Sequence, residues 1–177
     1  IGSKIETFET LVKPTKSIPQ VTIDIHGITD EMVKDAPPIS QKLPELLDFI
    51  GNHTLVAHNA KFDVGFIVFA MHQLSLDFHK AKVYCSCKLS RKYVKGSENH
   101  KLSTLSKHFE IPLENHHRAL DDTYACLRVF AKTLEEVKSN RQLKEGEILN
   151  IQDFKKANFS EAPELIQSLK ESIDKGE

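Results

Sequence analysis

Two short stretches of this chain place carboxylates where a divalent cation could use them. In the first, LVAHNAKFD (55–63), an apolar run passes through His58 and Asn59 into a helical pattern whose opening turn holds Asp63. The residues at helical spacing from Asp63 are Phe66, Ile67 and Ala70, which predicts a carboxylate lying along an apolar face. A charge in that setting requires a partner, and a metal ion is one of the few strong enough. The alternative is a plain helix-terminus role, since acidic side chains near a helix N-terminus are favoured by capping and by the macrodipole. In the second stretch, HHRALDD (116–122), Asp122 shares its stripe with Ala125, Cys126 and Val129, while Asp121 has Arg128 seven residues on and faces outward. Capping is again the alternative. His117, five residues ahead of Asp122, is a candidate general base beside a metal-binding carboxylate.

These groups need elements to hold them. TLVAH (54–58) reads as a short buried strand, with His58 and Asn59 at its C-terminal end, where open α/β sheets bind ligands. Both side chains could equally bond the local backbone. Phe62–Leu76 is apolar nearly all round, as a helix covered by neighbours would be. IETFETLV (5–12) suits a strand closed by Pro14, and the stretch after it reads as irregular. Between Pro37 and Gly51 apolar residues recur at helical spacing, with Gly51 as the stop. Lys82–Cys85 reads as a further strand, Ser86–Tyr93 and Lys101–Phe109 as short amphipathic helices, and Ala119–Lys138 as the longest helix. That order predicts an α/β fold with a parallel strand pair joined by the helix at 62–76.

A chain of 177 residues, 40% hydrophobic and 28% charged, has the balance of one globular domain with a tail rather than of a disordered segment. No apolar run reaches the roughly 18 residues of a membrane span, and the first residues lack the pattern of a signal peptide, so a cytoplasmic location is expected. Three cysteines are too few for a disulfide framework, and Cys85-Ser86-Cys87 has a single spacer, too short for a zinc knuckle. The net charge is −1, yet residues 79–108 hold eight Lys and Arg against Glu98 alone. That segment is either a solvated face or a phosphate-contacting surface.

HNAKFD (58–63) and HRALDD (117–122) resemble the second and third motifs of the DEDDh family of 3'-5' exonucleases. HGITDEMV (26–33), followed by DAPP (35–38), resembles the loop that follows a strand of that family, here FETLVKP (8–14). The resemblance covers about residues 5–137 and includes the proofreading exonucleases of bacterial replicative polymerases. It implies a ribonuclease H-like mixed sheet flanked by helices. It also implies two Mg²⁺ or Mn²⁺ ions, Asp63 and Asp122 among their ligands, and His117 as the base that deprotonates the attacking water. His26, Gly27, Ile28 and Thr29 would meet the terminal nucleotide, with Ile28 against its base, and His58 and Asn59 would complete the substrate-binding set.

The family's first motif, Asp-x-Glu on an opening strand, has no counterpart ahead of FETLVKP. Glu6 and Glu9 match the later strand instead. The expectation is therefore an exonuclease domain over 1–138 whose N-terminal strand or strands lie outside this sequence. Residues 139–177 are expected to form a linker and an amphipathic helix, Glu161–Ile173, leading towards a further domain. The expected substrate is a single-stranded DNA 3' end, and a DNA polymerase subunit or the following domain is the expected partner. The rival readings are an exonuclease acting on RNA or short oligonucleotides, and a non-catalytic module that binds single strands or a polymerase.

Overall fold

The computed structural model describes residues 5–76, 83–113 and 118–140. The α/β reading holds. The elements run α1 (Gln20–His26), α2 (Asp30–Val33), α3 (Ile39–Ile50), β1 (Leu55–Ala57), α4 (Ala60–Gln73), β2 (Val83–Cys85), α5 (Ser86–Tyr93), α6 (Leu102–His108) and α7 (Ala119–Asn140). Among the described residues the sheet is a parallel pair, β1 with β2, in the register Leu55↔Val83, Val56↔Tyr84 and Ala57↔Cys85. Parallel strands cannot be joined by a tight turn, and α4 lies in the connection between them.

The core follows from which faces these elements present. Ala60, Val64 and Val68 recur along one side of α4 and meet Val83, Cys85 and Cys87, with Leu55 and Ala57 packed beside them. Two further core clusters are organised by α7. Its Ala125 and Val129 close over Val94, Leu105 and Ile111, and Val137 further along packs on Leu89 and Tyr93 of α5. Thus α7 serves as a spine: α5, α6 and β1 all lean on it, and the carboxylates of its first turn are carried on a well-supported rod.

Two expectations for the first forty residues are corrected. Residues 5–12 form no strand; Phe8 lies tilted against Phe49 (ring centroids 5.6 Å apart), and Lys13 just beyond pairs as an isolated bridge with Pro38. A β-former sequence becomes a strand only when another backbone takes up its hydrogen bonds. The stretch expected to be irregular instead holds α1 and α2. α1 buries no residue, so no core-facing stripe marks it in the sequence, and it ends at Gly27 in the left-handed region (φ 73°). α2 is a single turn, capped where the Thr29 hydroxyl accepts from the Met32 N–H (3.3 Å). The helix proposed at 161–173 lies outside the described residues.

Candidate active site

β1 ends at Ala57, and the chain must reverse into α4 within two residues. Asn59 makes the turn by adopting a left-handed conformation (φ 64°, ψ 49°), which Asn tolerates better than other residues with a Cβ. Its carbonyl accepts from the Phe62 N–H (2.9 Å), closing the first turn of α4 and bringing Asp63 round beside the C-terminal end of β1. Asp122 arrives from the first turn of α7, where its N–H donates to the Arg118 carbonyl (2.9 Å).

The structure brings these two carboxylates within electrostatic reach of each other. The Asp63 carboxyl titrates above the ordinary range, first because surrounding protein strips its solvation; its own backbone N–H offsets part of this, and the negative charge of Asp122 adds to the rise. Asp122 is half-buried with Ala125, Cys126 and Val129 fully enclosed on its side of the helix, as its stripe predicted. Asp63 differs from expectation: the residue is exposed, and its carboxyl is only partly shielded. Its neighbours Phe62 and Phe66 are 63% and 64% exposed and meet edge to face at 5.0 Å, so this face of α4 opens to solvent. A helix apolar all round buries only the side its neighbours cover, and here β1 and β2 cover the Val64 side.

His58 is held at both ring nitrogens: Nε2 lies 2.9 Å from the His100 carbonyl and Nδ1 lies 2.9 Å from the Ser86 hydroxyl. A carbonyl only accepts, so Nε2 carries the hydrogen. Burial lowers the His58 pKa, favouring the neutral ring, whose Nδ1 then accepts from Ser86. Ser86 escaped the motif reading. The parallel register makes its position unavoidable, because His58 and Ser86 are the next residues after the paired Ala57 and Cys85.

The HGIT residues form a compact unit of their own. Nδ1 of His26 accepts from the Ile28 N–H (2.9 Å), Gly27 N–H donates to the Ile23 carbonyl (2.7 Å), and Thr29 caps α2. Asp30 in turn accepts from the Ile18 N–H (2.9 Å), tying the loop back to the chain before α1. His117 lies outside the described residues.

Two neighbouring carboxylates, one of them partly desolvated, have the chemistry of oxygen donors to a divalent cation. Among the described residues no third His, Cys, Asp or Glu joins them in a cluster able to hold a metal.

Comparison with known proteins shows the family of this chain. The family model RNase_T, described as Exonuclease, matches residues 2–130. PolC-type DNA polymerase III of Caldanaerobacter subterraneus subsp. tengcongensis is 41% identical over 133 residues, covering 75% of this chain and 9% of that protein. The PolC-type enzyme of Bacillus subtilis is 39% identical over 137 residues, covering 76% of this chain and 10% of that protein. The chain thus spans about a tenth of the curated relatives it matches. Among solved structures, Exonuclease X in complex with 5' overhanging duplex DNA superposes with a TM-score of 0.52 at 27% identity, covering 76% of this chain and 74% of that one. With a match that runs from residue 2 into α7, and so takes in both carboxylates, this chain belongs to the exonuclease family.

Proposed function

We propose that this chain acts as a 3'-5' exonuclease, removing nucleoside monophosphates from single-stranded DNA 3' ends in proofreading or repair. The observation that carries the reading is the convergence of Asp63 from α4 and Asp122 from α7, in a chain of the exonuclease family, with the Asp63 pKa raised partly by Asp122. The kinship with PolC-type polymerases favours DNA, and proofreading beside a polymerase, over RNA.

In this reading Asp63 and Asp122 supply carboxylate oxygens to two Mg²⁺ or Mn²⁺ ions. When bound, such ions lower the pKa of water and offset the charge that gathers on the phosphate. His117 takes the proton from the attacking water as its oxygen bonds to phosphorus and the bond from phosphorus to the 3' oxygen breaks. His26, Gly27, Ile28 and Thr29 meet the terminal nucleotide. Hydrogen bonds engage His26 Nδ1 and the Thr29 hydroxyl, so the unit offers the nucleotide a preformed surface with the Gly27 backbone exposed. Asn59 stands open to solvent at the strand end, whereas His58 contributes by holding the turn, since both its ring nitrogens are engaged.

The test is release of nucleoside monophosphate from a 5'-labelled single strand by the complete protein with Mg²⁺ or Mn²⁺. His117→Ala should leave Mn²⁺ binding nearly intact and cut turnover by roughly 10²–10⁴-fold, the range for a lost general base. Asp122→Ala should abolish both. A protein that binds the strand yet releases no nucleotide with either ion is a binding module, and the nuclease reading then fails.

A further inference from the structure

Two serines of α5 are fully buried, and they behave differently. Ser90 donates to the Cys87 carbonyl three residues back (2.9 Å), a bond within its own helix. Ser86 reaches out of its helix to three partners distant in sequence: Nδ1 of His58 at 2.9 Å, the Ala57 carbonyl at 3.4 Å and Sγ of Cys126 at 3.5 Å. A hydroxyl has one hydrogen. With Nε2 of His58 committed to the His100 carbonyl, the Ser86 hydrogen goes to Nδ1, and the Ser86 oxygen is left to accept from the Cys126 thiol. Burial holds that thiol in its protonated form, as a donor.

The partners of this hydroxyl lie on the two segments that carry the carboxylates. His58 opens the turn that delivers Asp63, and Cys126 lies one helical turn beyond Asp122 on the same stripe of α7. Ser86 itself sits at the junction where β2 passes directly into α5. We propose that Ser86 is a positioning residue of the nuclease site: its buried hydroxyl, shared between His58 and Cys126, sets the separation of Asp63 and Asp122. The same chain of bonds continues through His58 to the His100 carbonyl, which also accepts from the Cys87 thiol (3.4 Å). The loop between α5 and α6 is thereby fastened to the strand end. The inference rests on the nuclease reading above.

The experiment uses the complete protein and two independent readouts: Mn²⁺ binding without nucleic acid, from the electron paramagnetic resonance of the free ion, and kcat and KM on a single strand. Ser86→Ala should raise the half-saturating Mn²⁺ concentration and lower kcat, each roughly 10-fold, the lower end for a lost residue supporting a metal site. KM for the strand should stay unchanged, because Ser86 does not reach solvent. Ser86→Thr, which keeps the hydroxyl, should recover both. Wild-type Mn²⁺ affinity and kcat in a folded Ser86→Ala variant would reduce Ser86 to packing and overturn the proposal, as would a folded Ser86→Thr that recovers neither. Should Ser86→Ala not fold, Ser86→Cys keeps the shape with a weaker donor and should show an intermediate Mn²⁺ shift; unchanged affinity there overturns the proposal too. A wild-type protein that neither binds Mn²⁺ nor releases nucleotide instead defeats the nuclease reading itself.

Discussion

At Asp63 the proposed function would work against stability. Its carboxyl is partly desolvated, on a residue otherwise exposed, and feels the charge of Asp122, so its folded-state pKa stands above the unfolded value. Between those two values the folded chain binds more protons than the unfolded one, and stability therefore falls as pH rises through the window. The loss is complete above the folded pKa and absent below the ordinary carboxylate range. Asp63→Asn, which keeps the shape without the charge, should accordingly raise the melting temperature of the metal-free protein at neutral pH. The gain should disappear on acidification below the ordinary aspartate pKa, and Mn²⁺ should stabilise wild type more than the variant. Thermal melts at several pH values, with and without Mn²⁺, read all three outcomes. A variant no more stable than wild type at pH 7 would mean that the strain at Asp63 is absent.

Short elements here are defined by how they end. α1 has seven residues and no buried side chain, so little besides its stop holds it in register with the HGIT turn. That stop is Gly27 at φ 73°, where an added Cβ would meet nothing within 4 Å. Gly27→Ala therefore creates no clash, and its cost is purely conformational, about 1–2 kcal/mol for an L-residue in the left-handed region. A lower urea midpoint with an unchanged denaturant slope is the expected result. The same variant should raise KM for the strand, because the α1–α2 turn carries His26, Ile28 and Thr29. An unchanged midpoint would show that the turn has relaxed to another conformation.

At the scale of the whole molecule, the cationic segment is drawn out along two helices and a loop. Lys88, Arg91, Lys92, Lys95, Lys101 and Lys107 are exposed on α5, on α6 and between them, while Leu89, Tyr93, Val94 and Leu105 from the same stretch are buried. The loop between these helices is fastened through the His100 carbonyl to His58, at the strand end beside the carboxylates. A single strand entering the site would therefore have a basic surface alongside. With about four phosphates engaged, and a log–log slope of about −0.7 for each, affinity should fall roughly 50-fold between about 50 and 200 mM salt. Fluorescence anisotropy of a labelled oligonucleotide with Asp122→Ala, to prevent hydrolysis, measures the slope. Charge reversal at Lys95 and Lys101 should flatten it. Binding indifferent to salt would leave these lysines as an ordinary solvated face.

The sequence alone was enough for the elements whose patterns are periodic and locally bounded. α3 with its Gly51 stop, β1, α4, β2, α5, α6 and α7 all lie within a few residues of where spacing and breakers place them, because a repeating apolar face and a glycine or proline boundary are local properties. The stripe of Ala125, Cys126 and Val129 beside the half-buried Asp122 was legible for the same reason, being one helix face, whereas Asp121, expected to face outward, is half-buried as well. What depends on a partner was not legible. IETFETLV has strand-forming residues but no adjoining backbone to pair with over 5–12 among the described residues, and Phe62 and Phe66 are apolar yet lie on the side of α4 that β1 and β2 leave open. Ser86 shows the limit most plainly. Its type and neighbours mark only a small polar residue between two cysteines. It meets His58, 28 residues away in sequence, because a parallel register sets Ala57 against Cys85, and it meets Cys126, 40 residues away, because α7 packs across the strand ends. Periodicity reports which way a side chain faces, while tertiary packing alone decides what it faces.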